Sequence, residues 1–188
     1  MHERVELSDP RALRAVAHPI RLSLLGLLRR EGPLTATQAG EAIGESAASC
    51  SFHLRQLAKY GLVEEAGGGR GRERPWRATA LHTSWPSVAK TPEMAAASEL
   101  LSTVIAERYF EHLFTWLERR GDEPEHWQAA ELFGDTGLYL TPAELEELGK
   151  AVQQLVEPYL DRTVKPELRP EAARLVLFVA FGFPLPEE

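Results

Sequence analysis

Two helix-start signals close together constrain this chain more than any other feature. Thr35 is followed three places on by Gln38, the pattern in which a hydroxyl caps a helix and an amide reaches back to the cap's own N–H. Ser46 offers a second cap, and Ile43-Gly44 between them closes the first helix with a residue free to turn. The second helix stops at Gly61, the residue type that left-handed terminators prefer. Within it Cys50, Leu54, Leu57 and Ala58 recur at i, i+4, i+7 and i+8, so one apolar stripe faces inward.

At about 100° per residue, the opposite face of that second helix carries Ala48, Ser51, Phe52, Arg55 and Lys59, with Ser46, Ala47 and Ser49 at its start. Small side chains let a helix approach base edges. Ser51 can donate or accept, Arg55 reaches guanine or phosphate, and Phe52 meets a thymine methyl or packs against its own domain. Ser46 and Ser49 lie where helix amides attract phosphate. A solvated outer face has a similar composition, so the next segment decides. Leu62-Val63-Glu64-Glu65-Ala66 and Trp76-Arg77-Ala78-Thr79 are two short strand-like runs joined by a Gly/Arg loop, which reads as a hairpin. Arg70, Arg72 and Arg74 at its tip suit phosphate or a minor groove. Helix, turn, helix and basic hairpin over 34–80 predict a winged helix-turn-helix, a shape suited to double-stranded DNA.

With the lead-in helix His18-Pro19-Ile20-Arg21-Leu22-Ser23-Leu24-Leu25, this stretch resembles ArsR-type winged-helix transcriptional regulators. The matching pieces are the HPIRLSLLGLL opening, the LTATQAGEAIG helix, the SxxSxSFHLRQLxxxGLV recognition helix and the GRERPWRAT end of the wing. The resemblance implies a homodimer that binds operator DNA and regulates transcription, often as a repressor released by a ligand. It does not extend to metal sensing. The family's thiolate sites need neighbouring cysteines, and Cys50 stands alone on the inward stripe. Glu107, Glu111 and His112 on one helix make a poor ligand set because adjacent residues point apart. No metal and no cofactor is expected.

The net charge of −7 opposes a nucleic-acid partner until it is divided along the chain. Residues 1–90 hold 13 Lys and Arg against 9 Asp and Glu, whereas residues 91–188 hold 8 against 19. The N-terminal half attracts DNA and the C-terminal half is repelled by it. The single cysteine excludes an internal disulfide, and no apolar run approaches membrane-spanning length. The start Met-His-Glu-Arg-Val-Glu lacks the features of a signal peptide, so a cytoplasmic location is expected. An enzyme is not expected either, since a phosphate-binding Gly motif, a nucleophile elbow and a His/Cys pairing are all missing from the sequence. The alternative is a winged-helix module that contacts protein without specific DNA binding.

The remaining segments complete the architecture. Residues 9–31 start with Ser8 or Asp9 as cap and Pro10 in the first turn, and Pro19 divides them into two helices. His18 reads as a buried or capping histidine, not a ligand. From Thr91 to Arg120 runs a long helix whose apolar face (Met94, Leu101, Val104, Ile105, Leu113, Phe114, Trp116, Leu117) has to be buried away from the winged helix. The candidates are the same helix of a second chain or the chain's own C-terminal segment. Thr141-Pro142-Ala143-Glu144 is a capping box opening a further helix to about Leu160. Residues 132–140 read as a short strand and Leu175–Phe183 as a buried strand that pairs with it. Trp116, Trp127, Tyr139 and Phe178 are candidate lining for an unidentified small-molecule effector. The predicted fold is mainly α with a small β component: a winged helix-turn-helix over 1–90, a dimerisation helix over 91–121 and a small α+β domain over 122–188.

Overall fold

A computed structural model describes residues 4–68, 74–86 and 88–186. The chain divides into two units, Met1–Phe110 and Glu111–Glu188.

In the first unit β1 (Arg4–Glu6) leads into α1 (Pro10–Val16), α2 (Pro19–Glu31), α3 (Ala36–Ile43) and α4 (Ala47–Ala58). Then come β2 (Val63–Glu65), β3 (Trp76–Ala78), β4 (His82–Ser84) and the start of α5 (Pro92–Arg119). The helix starts follow the local chemistry. Of the two candidate caps for α1, Asp9 takes the role, accepting from Arg11 N–H at 2.8 Å ahead of Pro10. Thr35 and Gln38 form both halves of the capping box, at 3.2 and 2.9 Å. Ser46 accepts from Ser49 N–H at 3.1 Å. Gly44 and Gly61 both take positive φ, +74° and +69°, which closes the two helices at the cost that only glycine avoids.

The core of this unit gathers Leu13 and Val16 of α1, Leu24 and Leu28 of α2, Cys50, Leu54 and Leu57 of α4, then Leu62, Val63 and Trp76. Burying each of its leucines contributes roughly 1.5–3 kcal/mol. Met94, Ala97 and Leu101 of α5 are buried in the same core, with Ile105 packed against it. This corrects the expectation that the apolar face of the long helix lies wholly away from the winged helix. The first turns of α5 roof the domain because their i, i+3, i+7 side chains share one side.

β2 pairs antiparallel with β3 in the register Val63↔Ala78, Glu64↔Arg77, Glu65↔Trp76. Leu34 and Trp76 exchange backbone bonds of 3.0 and 2.8 Å, adding a third short edge. β1 and β4 form a parallel pair, Arg4↔His82 to Glu6↔Ser84, that the sequence did not suggest. Arg29 of α2 fastens the chain entering β4, donating from Nε to Ala80 O at 3.0 Å and from Nη2 to Thr83 Oγ1 at 2.6 Å. Burial lowers its pKa to about 10. Arg29→Ala leaves these acceptors unpaired and is expected to cost about 1–3 kcal/mol in urea unfolding.

The second unit contains the end of α5, a 3-10 turn at Arg120–Asp122, α6 (Glu125–Ala129), α7 (Pro142–Val164) and a 3-10 turn at Pro166–Leu168. Thr141 and Glu144 cap α7 as a complete box. The helix passes Pro158 and ends four residues beyond the expected Leu160. Among the described residues of this unit none is buried and none is in a strand. That corrects the α+β character expected of 122–188 and the strand pair expected of 132–140 and 175–183. Gly134 and Gly137 interrupt the first stretch, and a strand without a hydrogen-bonded neighbour does not persist. Phe178, Phe181 and Phe183 are accordingly 52, 58 and 69% exposed. The β component among the described residues is confined to the first unit, and the fold as a whole is mainly helical with small sheets.

Candidate nucleic-acid interface

α4 is set by its caps and by what lies under it. Cys50, Leu54 and Leu57 are fully buried, so the helix cannot rotate without exposing them. Gly40 of α3 lets the turn between the two helices close tightly. Glu45 N–H donates to Gly40 O at 2.9 Å, and a Cβ on Gly40 would stand 2.5 Å from the Glu45 carbonyl oxygen.

With the stripe inward, Ala47, Ala48, Phe52, Arg55 and Lys59 are exposed, and Ser51 and Ser49 are partly so. Phe52 is half exposed, so it projects outward instead of joining the core. Its ring meets His53 edge-on at 5.2 Å. Lys59 Nζ lies 5.7 Å from the centre of the Tyr60 ring. Ser46 is exposed, and its hydroxyl oxygen is engaged in the cap. The face therefore presents small residues, hydroxyls, one aromatic and two cations along a single helix, as the spacing predicts.

The described residues include part of the wing. Arg70 and Arg72 lie outside the described residues. Arg74 is exposed and sits against Glu65, with Nη1 3.2 Å from both carboxylate oxygens. Arg77 makes a similar pair with Glu64 at 2.6 Å. Glutamates of β2 thus offset arginines at the base of the hairpin, which weakens the basic character expected of Arg74.

His53 is the residue that sequence reading missed. A lone polar residue beside an apolar stripe carries no signal of burial, yet His53 is 8% exposed and the one buried polar or charged side chain of the described residues. A charged or aromatic neighbour at the α2 start, in the His18-Pro19-Ile20-Arg21 motif, is the signal that leads to it. Cys50, also fully buried, has its thiol pushed up by burial and then by Glu45, the reverse of what a reactive thiolate needs.

Among the described residues no group of three or more His, Cys, Asp and Glu side chains is placed to hold a metal ion. No helix among them is long and apolar enough to cross a membrane. The four aromatics named for an effector sit on four stretches: Trp116 on α5, Trp127 on α6, Tyr139 before α7 and Phe178 after it. Trp116 and Trp127 carry the guanidiniums of Arg119 and Arg174 at 5.7 and 5.0 Å, and Tyr139 is fully exposed.

Residues 16–66 match a family described as a helix-turn-helix domain. No curated protein matches the chain. Among solved structures, the chain is similar to the transcriptional repressor BigR from Xylella fastidiosa, with 21% identity and a TM-score of 0.31 over 51% of this chain and 82% of that one. It is also similar to a mutant of ZitR from Lactococcus lactis in apo form, with 18% identity and a TM-score of 0.34 over 76% of this chain and 83% of that one.

Proposed function

We propose that the chain is a DNA-binding transcriptional regulator of the ArsR type, a cytoplasmic homodimeric repressor that reads its operator with α4 and grips flanking phosphate with the wing. The observation that carries this reading is the exposed face of α4, small and hydroxyl-bearing around Ala48 and Ser51 and ending in Arg55 and Lys59, on a helix whose other side is fully buried. A helix held so firmly with an uncrowded outer face matches the width of a major groove. The helix-turn-helix match over residues 16–66 supports the same role.

The dimer is supported by α5. Its Met94, Ala97 and Leu101 side is used by its own domain, while Leu100, Phe110 and Phe114, on another side of the helix, are 45, 49 and 59% exposed. A second copy would cover them and set two recognition helices about one DNA turn apart. Trp116, Trp127, Tyr139 and Phe178 stay the proposed contacts of an apolar effector that releases DNA, as side chains on the surface of the second unit and not as the walls of a closed pocket.

Fluorescence anisotropy on the duplex upstream of its own coding region and on a scrambled duplex tests the reading. Arg55→Ala is expected to lower affinity for the cognate duplex by about tenfold, the worth of one bidentate or phosphate contact, and to narrow the gap between the two duplexes. Unchanged affinity on both would remove α4 from the interface.

A further inference from the structure

His53 lies buried on the recognition helix, next to the exposed Phe52, and groups from α2 and from the turn between α3 and α4 act on it. Its ring centre is 4.6 Å from that of His18, the N-cap residue of α2. Arg21 of α2 donates from Nε to His53 Nδ1 at 3.4 Å, and from Nη1 to the Ala15 carbonyl of α1. Phe52 closes the outer side, edge-on to the same imidazole. His18 Nδ1 is buried without a hydrogen-bond partner. The charged groups acting on the pair are Arg21 and, from the turn between α3 and α4, Glu45, which also acts on the Cys50 thiol.

The arrangement favours the neutral imidazole: a ring nitrogen placed to accept from the Arg21 guanidinium, at 3.4 Å, needs its lone pair. Protonating Nδ1 removes that acceptor and sets a new cation against Arg21 and His18, with Glu45 as counter-charge. Burial first, then the Arg21 charge, hold His18 below the ordinary histidine range; burial, His18 and Arg21 do the same for His53.

We propose that His53 is a positioning residue for the DNA-reading face, and that the neutral His18–His53 pair makes specific DNA binding proton-sensitive. Protonation breaks the Arg21–His53 bond and unseats the His53 flank of α4 from α2, which shifts the outer face that carries Phe52 and Arg55. The inference rests on the DNA-binding reading of α4. Because the folded state holds both imidazoles below the reference value of 6.5, it binds fewer protons than the unfolded chain. The stability of the seat is therefore complete above that value and is lost as pH falls through the lowered folded values. Ordinary electrostatics runs the other way: acid neutralises carboxylates, makes the chain less negative and strengthens non-specific DNA binding.

The test is anisotropy of the full chain at about pH 7.5, 6.5 and 5.5 and constant ionic strength, on the cognate and scrambled duplexes. His53→Gln, His18→Asn and the double variant are measured beside the wild type. Glutamine keeps a neutral acceptor for Arg21, and asparagine suits an N-cap. Wild type is expected to lose about tenfold in cognate affinity from pH 7.5 to 5.5 while scrambled affinity holds or rises; the double variant, compared with its own affinity at pH 7.5, shows no such fall at pH 5.5. Wild-type cognate affinity that is flat or rises on acidification overturns the proposal, and so does a fall that persists undiminished in the double variant. Failure of the DNA reading shows separately, as binding to neither duplex at any pH. The urea midpoint then decides: a wild-type midpoint that falls no more than the double variant's across this range overturns the coupling.

Discussion

Gly40→Ala is expected to destabilise the first unit by about 2–3 kcal/mol, although the same change in an open helix position stabilises by up to about 1 kcal/mol. The sign reverses because the new methyl would stand 2.5 Å from the Glu45 carbonyl oxygen and 3.4 Å from Ala47 N. Both are backbone atoms, one in the turn and one in the first residue of α4, and they cannot swing aside as a side chain does. Relief requires α3 and α4 to separate, which strains the Glu45 N–H to Gly40 O bond and lifts Cys50 and Leu54 from the core. Gly26→Ala in α2 is the internal control. There the added carbon meets Arg30 Nη1 at 3.1 Å, the end of a flexible side chain, and the variant is expected to equal or exceed wild type. Urea unfolding of both variants checks the pair; a Gly40→Ala protein as stable as Gly26→Ala would mean that the turn is looser than described.

The second large effect belongs to the wing. Replacing Arg70, Arg72 and Arg74 together by alanine is expected to weaken cognate DNA binding by about a hundredfold at moderate salt, and to reduce the slope of log affinity against log salt by about 2 to 3. The range reflects Arg74. Its contacts with both Glu65 oxygens mean that it meets phosphate only by leaving a carboxylate, so it releases less than a full counterion's worth of free energy. Glu65→Gln isolates this effect and is expected to strengthen binding by a few fold, because it frees Arg74 and removes a negative charge from the hairpin. A salt series on all three proteins reads both numbers. An unchanged slope in the triple variant would place the wing off the DNA.

What the sequence made legible was local. The Thr35–Gln38 and Thr141–Glu144 boxes, the Ser46 cap and the glycine terminators are encoded within four or five residues, and each forms as its spacing implies. The inward stripe of α4 and the β2–β3 hairpin were legible for the same reason, since helical period and strand alternation need no distant partner. The parallel β1–β4 pair was not legible: each strand has three residues, and the partner lies at the far end of the domain. His53 escaped because a lone polar residue beside an apolar stripe says nothing of the imidazole and guanidinium that α2 brings over it. The opposite error occurred at 175–183. An apolar run signals burial only if something covers it, and among the described residues of the second unit nothing is buried. The candidate DNA face was thus readable as a list of residues, whereas what seats it was a property of the fold.

The most direct test of the central claim is selection of bound duplexes from a randomised DNA pool by the full-length wild-type protein, followed by sequencing. The account predicts enrichment of an inverted repeat with half-site centres about 10 base pairs apart, the spacing at which two copies of α4 enter successive major grooves. Recovery of no enriched sequence by a folded protein, at salt low enough to retain any DNA binder, would contradict it.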